Sequence, residues 1–112
     1  MNSNFKLLNK CYRFIEYYDD ILLNFSKKNM VLKNCIEKTY YEMIENLFAY
    51  NINTTDRIKD KYIKDFLIKL SMIDFYTKVG FYKKNISLRQ FEILGMNIVE
   101  MRKMTYGIIN GL

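Results

Sequence analysis

The chain has 112 residues (13.6 kDa), half of them apolar and 27% charged; this predicts one domain, residues 1–112, with a real core and excludes a disordered chain. It contains no His, which excludes imidazole metal ligands, Ser–His and Cys–His nucleophile pairs and any His general base. Basic residues outnumber acidic ones 18 to 12, for a net charge of +6 and a pI near 9.3, and such a surface favours polyanionic partners.

Proline is absent and glycine does not occur before Gly80, so long uninterrupted helices are expected. The first helix is predicted from about Ser3 to Phe25. Leu8, Cys11, Ile15, Tyr18, Leu22 and Phe25 form its apolar stripe, with Lys6, Asn9, Lys10, Arg13, Glu16 and Asp20 facing away. Ser26-Lys27-Lys28-Asn29 ends it. The second helix is predicted from Met30 to Tyr50, with Leu32, Ile36, Tyr40, Met43, Leu47 and Tyr50 inward and Lys33, Glu37, Lys38, Glu42 and Glu45 solvated. Both thiols, Cys11 and Cys35, fall on apolar positions and read as buried small hydrophobes rather than a disulfide.

Asn51–Asp56 is the next connector, where Thr54 or Thr55 suits an N-cap and Asp56 suits the positive end of the helix dipole. The third helix then runs to about Tyr82. Its first half is charged, and Phe66–Tyr76 is apolar on more than one face, which predicts a partner subunit and hence a homo-oligomer. Lys83–Ile86 connects to the fourth helix, which Ser87 and Gln90 open as a capping box. Phe91, Leu94, Ile98, Met101, Thr105, Ile108 and Leu112 are expected to point inward there, and Gly111 to close the end. No strand pattern is present. The fold class is therefore all-α, an antiparallel up-down-up-down four-helix bundle with helices roughly 30–40 Å long.

That topology places the first and third connectors at one end. Lys27, Lys28 and Lys33 then meet Lys78, Lys83, Lys84 and Arg89, a candidate phosphate site whose bland alternative is a solvated pole. Tyr82, Phe81 and Phe91 lie beside it and read first as packing residues. A second basic group, Arg57, Lys61 and Lys64, starts a track along the third helix that is expected to continue through Ser71 to Lys78. The charge is open to a simpler origin. Lys, Asn, Ile, Tyr and Phe, all with AT-rich codons, supply 58 residues, so lysine number alone argues little and placement carries the case. Residues 52–112 nevertheless hold eleven of the cations against six carboxylates.

The carboxylates do not organise into a catalytic pair. Glu42 and Glu45 belong to a polar face, and Asp19 and Asp20 read as solvated. Asp74 shares a face with Leu67, Leu70 and Thr77 and is expected to point inward, with Tyr18 and Tyr40 as donors. Glycine-rich phosphate loops, zinc spacings and nucleotide fingerprints are absent, so no enzyme and no cofactor is expected. The N-terminus lacks the pattern of a signal peptide, and no apolar run reaches the ~18 residues of a membrane span; a cytoplasmic protein is expected.

Three segments carry a family resemblance: Lys69-Leu70-Ser71-Met72-Ile73-Asp74-Phe75-Tyr76, Ile86-Ser87-Leu88-Arg89-Gln90-Phe91, and Glu100-Met101-Arg102-Lys103-Met104-Thr105-Tyr106-Gly107-Ile108. From about Ile63 to the end the chain resembles the Avd family, the accessory variability determinants of diversity-generating retroelements. The 23S rRNA intervening-sequence proteins share that fold. Arg89 stands for the family's Lys, Met101 for its Ile and Ile108 for its Trp, which removes the packing the Trp supplies. The first half resembles the family in helix lengths and in the turn Phe25-Ser26-Lys27. The resemblance implies a non-enzymatic partner of a reverse transcriptase that forms pentamers and binds template RNA or RNA/DNA. The competing expectation is a structural, protein-interaction bundle of the intervening-sequence type with no direct nucleic-acid role.

Overall fold

In the computed structural model, which describes residues 3–111, the apolar spacing becomes four helices. These are α1 (Ser3–Leu22), α2 (Met30–Ile52), α3 (Asp56–Tyr82) and α4 (Leu88–Ile109), with no strand among the described residues. Each helix packs on its neighbours in sequence and α1 closes the ring against α4, leaving α1–α3 and α2–α4 as diagonals. The chain alternates direction, and the bundle measures 44 × 22 × 19 Å. Among the described residues no helix is long and apolar enough to cross a membrane.

The core is one cluster along the bundle axis. Leu7, Cys11, Phe14, Tyr18 and Ile21 of α1 meet Ile36, Tyr40, Met43 and Leu47 of α2, Ile63, Phe66, Leu70 and Ile73 of α3, and Leu94, Ile98 and Met101 of α4. Truncating one of its large members, such as Phe14 or Phe66, removes about 3–5 kcal/mol. Leu112, expected inward, lies outside the described residues.

Helix α1 differs from its sequence expectation in phase and length. Its buried line is Leu7, Cys11, Phe14, Tyr18, Ile21 and Leu22, while Leu8 and Ile15 are half-buried on its flank. The helix ends at Leu22; the turn through Leu23 and Asn24 then folds Phe25 back under the bundle, and Lys27–Asn29 form one 3₁₀ turn. Helix α2 runs two residues beyond Tyr50, and Asn53 caps it by donating from both its backbone and its side chain to the Ala49 carbonyl. Thr55 occupies the N-cap of α3 without a side-chain capping bond. Ser87 and Gln90 form the expected reciprocal capping box.

Three polar expectations are corrected. Asp74 is not an inward carboxylate: it sits part-exposed, 3.3 Å from Lys78 Nζ and 3.9 Å from Arg102 Nη2. The two tyrosines donate elsewhere. Tyr40 Oη donates to Asp19 Oδ1 at 2.5 Å, so Asp19 is not merely solvated. Tyr18 Oη lies 2.7 Å from Thr77 Oγ1, and Thr77 already donates its single hydroxyl proton to the Ile73 carbonyl, so Tyr18 is the donor. Cys11 is buried as expected, but Cys35 is only half-buried. Burial pushes the Cys11 thiol up to about 12.

Candidate nucleic-acid interface

Local structure sets the basic pole. Helix α3 ends in a Schellman turn: Asn85 N–H donates to the Gly80 carbonyl and Lys84 N–H to the Phe81 carbonyl, at 2.9 and 3.0 Å. Lys84 takes the left-handed position of that turn, with φ 64°, where glycine is the usual occupant. The turn lays Ile86 over Gly80, where a Cβ would stand 2.7 Å from Ile86 Cδ1. Asn85 then reaches the first connector, its Oδ1 accepting from the Ser26 backbone N–H at 2.9 Å. Asn29 Nδ2 donates to Ser26 Oγ and holds the other side of that connector.

The result joins five of the predicted cations. Lys27 and Lys28 on the 3₁₀ turn, Lys83 and Lys84 after α3, and Arg89 in the first turn of α4 are all exposed. None of the five has an ion-pair partner among the described residues. Two helix N-termini (α2, α4) and two C-termini (α1, α3) meet here, so the macrodipoles largely cancel and side chains carry the field. Lys33 is half-buried on α2. Lys78 is engaged by Asp74, which removes it from the open group. Phe81 and Phe91 stack on each other with centroids 4.5 Å apart, as packing residues. Tyr82 instead is 85% exposed at the pole, a surface on which a base can stack.

The second predicted group does not form a continuous track. Lys61 pairs with Asp65 at 3.0 Å and Lys64 with Asp60 at 2.9 Å, both within α3, and Arg57 is exposed without an ion pair among the described residues. The hydrogen bond that Lys61 donates to the Asp65 carboxylate holds its ammonium above its ordinary range. Beyond Lys64 the outer face of α3 turns apolar at helical spacing: Ile68, Met72, Phe75 and Tyr82 are exposed, at 60%, 38%, 57% and 85%. Ser71 is exposed but bonds back to the Leu67 carbonyl. The face expected to carry phosphate contacts from Arg57 to Lys78 is therefore a paired basic segment followed by an apolar one. Among the described residues no three Asp, Glu or Cys side chains converge as metal ligands do.

A third basic group escaped the sequence reading. Lys6, Lys10 and Arg13 line a groove between α1 and α4 with Asn9, Glu100 and Met104. Their spacing of four and three residues was visible in the sequence as one helix face. The facing wall was not, because it comes from α4, some 90 residues away.

The fold is shared by a solved structure described as a protein with unknown function from the S23 ribosomal protein family, from Bacteroides thetaiotaomicron VPI-5482. The TM-score is 0.87 at 14% sequence identity, over 97% of this chain and 99% of that chain. At that identity the likeness establishes the all-α four-helix bundle and nothing of activity, and it does not single out the accessory variability determinants. No protein-family model matches the chain, and no curated protein matches its sequence.

Proposed function

We propose that this chain is a non-catalytic RNA-binding bundle that acts as a homo-oligomer. The observation that supports it most is the pole: Lys27, Lys28, Lys83, Lys84 and Arg89, exposed and without ion pairs among the described residues, locked together by the Ser26–Asn85 bond and flanked by exposed Tyr82. Exposed cations without carboxylate partners release counterions on meeting phosphates, and a neighbouring aromatic face adds stacking to unpaired bases. The exposed Ile68–Met72–Phe75 stripe supports self-association, because an apolar helix face of that length in water favours burial against a second subunit. Oligomerisation multiplies individually weak phosphate contacts into avidity.

The narrower form of this reading is an accessory protein of a diversity-generating retroelement. In it a pentamer holds template RNA, or the RNA/DNA hybrid, near a reverse transcriptase in the cytoplasm. It draws on the motifs of α3 and α4 quoted above, and the likeness to an S23-family protein is compatible with it in fold only.

The test is RNA binding by the purified full chain as a function of salt. A structured RNA should bind with log Kd rising linearly in log salt, and Lys27→Glu, Lys28→Glu, Lys83→Glu and Lys84→Glu together should weaken binding steeply while leaving helix content and oligomeric state intact. Unchanged binding by that variant favours the protein-interaction reading instead. A reverse-transcriptase gene adjoining this chain's gene, and co-purification of its product with this chain, test the narrower form; the absence of such a neighbour counts against it.

A further inference from the structure

Lys6, Lys10 and Arg13 lie on one face of α1 at intervals of four and three residues, along about 10 Å of helix axis. The opposite wall of their groove is Glu100 and Met104 of α4, and Asn9 lies between the cations. Glu100 takes Lys10 in an ion pair, and Lys10 first and Lys103 after it hold its carboxyl below the usual range. Lys6 and Arg13 are exposed and, like Lys103, have no ion pair among the described residues. Three cations therefore line the groove against one carboxylate, and the Lys10–Glu100 bridge leaves the other two, Lys6 and Arg13, uncompensated.

An interhelical strut needs one cation for one carboxylate. The surplus points to an external anion. We infer that the α1–α4 groove is a second phosphate-backbone face, which contacts successive phosphates of the RNA strand that also meets the pole. Lys6 and Arg13 stand too far apart for a single phosphate to bridge, whereas a strand laid along the groove meets each cation in turn. Asn9 offers a donor and an acceptor to sugar hydroxyls at the same depth. The groove cations lie between about 14 and 24 Å along α1 from its pole end, so a short RNA occupies one face and a longer one both. Glu100 competes with phosphate for Lys10 and restrains binding at this face. The inference rests on the RNA-binding reading of the pole.

The experiment compares the full chain with two exposed-residue variants, Lys6→Gln/Arg13→Gln and Glu100→Gln, and with the four-lysine pole variant. The probe is a fluorescein-labelled 20-base-pair RNA hairpin titrated between 50 and 300 mM KCl, and thermal melts check folding. The groove double variant should weaken binding about tenfold at 100 mM salt and reduce the log–log salt slope by between about 1 and 2. Glu100→Gln should tighten binding severalfold although it removes an interhelical ion pair, an effect that a purely structural bridge does not produce. A double variant that binds with wild-type affinity and slope, while the pole variant loses binding, overturns the groove and leaves the pole reading standing. Weakened binding in Glu100→Gln overturns the groove as well. A wild-type chain that binds no hairpin at 50 mM salt overturns both.

Discussion

The backbone N–H of Ser26 donates to Oδ1 of Asn85 at 2.9 Å, joining two connectors 59 residues apart in the chain. This bond holds Lys27 and Lys28 against Lys83 and Lys84. Asn85→Ala leaves the Ser26 amide to water and frees the first connector, so about 1 kcal/mol of stability should be lost. The expected fall in Tm is roughly 4 °C. Hydrogen exchange is the sharper measurement, since the Ser26 amide should lose its protection while amides in the α2 core keep theirs.

Gly80 is needed for space rather than for backbone conformation, since it lies inside α3. A methyl at its Cβ meets Ile86 Cδ1 at 2.7 Å and Cγ1 at 3.2 Å, with the Phe25 ring at 3.6 Å behind. Alanine is the better helix former by about 1 kcal/mol, but overpacking of this kind costs about 1–3 kcal/mol. Gly80→Ala should therefore destabilise. Ile86→Val deletes the nearest atom, and in the double variant it should recover part of the loss. Additive effects in that double-mutant cycle, read by urea denaturation, refute the contact as the cause.

How much of this was legible in the sequence differs from helix to helix. The ends of α3 and α4 were readable because local chemistry sets them: Asp56 opens one, and the Ser87–Gln90 box opens the other. The phase of α1 was not. Leu7–Leu8, Phe14–Ile15 and Ile21–Leu22 are adjacent apolar doublets, so two stripes fit the period and only packing against α2 and α4 selects the one through Leu7 and Phe14. Asp74 was misplaced for a related reason. It shares a helical face with Leu70 in projection, but the α3–α4 groove leaves that edge open to Arg102. The pole followed from topology alone, since alternating helices bring the first and third connectors together. The groove along α1 required knowing which side of α4 faces it.

Tyr18 reaches Thr77 across the diagonal of the bundle, donating to an oxygen whose own proton is committed to Ile73. Removal of either partner is therefore unequal. Thr77→Val strands a buried phenol hydroxyl and should cost about 1–3 kcal/mol. Tyr18→Phe leaves Thr77 still bonded to Ile73 and should cost less, about 0.5–1.5 kcal/mol. The double variant should be no less stable than Thr77→Val alone. Denaturant midpoints of the three chains decide it, and equal losses in the two single variants contradict this hydrogen-bond direction.

Alkaline pH should unfold this protein early. Burial holds the Cys11 thiol up to about 12, and burial likewise raises the Tyr18 phenol. Burial and then the Asp19 carboxylate raise the Tyr40 phenol. Each group is neutral when protonated, so with a raised folded pKa the folded state holds protons that the unfolded chain has released. Stability from this source is complete below the unfolded pKa values, 9.0 for the thiol and 10.0 for the phenols, and is lost as pH rises through the folded ones. For Cys11 the expected slope is about 1.4 kcal/mol per pH unit between pH 9 and 12. Urea denaturation from pH 8 to 11 measures it, and Cys11→Val should flatten the curve.

Lys84 separates folding from binding. Its left-handed conformation, φ 64°, is one that glycine adopts without steric penalty, and the Schellman turn uses only its backbone. Lys84→Gly should keep the bundle folded and gain up to about 1 kcal/mol, because the strain relieved on the native side outweighs the added freedom of the unfolded chain. It also deletes one cation from the centre of the pole. RNA affinity should then fall severalfold, and the salt slope by about 1, in a chain that melts at an equal or higher temperature. Loss of affinity without loss of stability is the signature of a phosphate contact. A stabilised variant with wild-type RNA affinity and salt slope places Lys84 outside the interface, and leaves its backbone angle as the cost of a lysine where the turn prefers glycine.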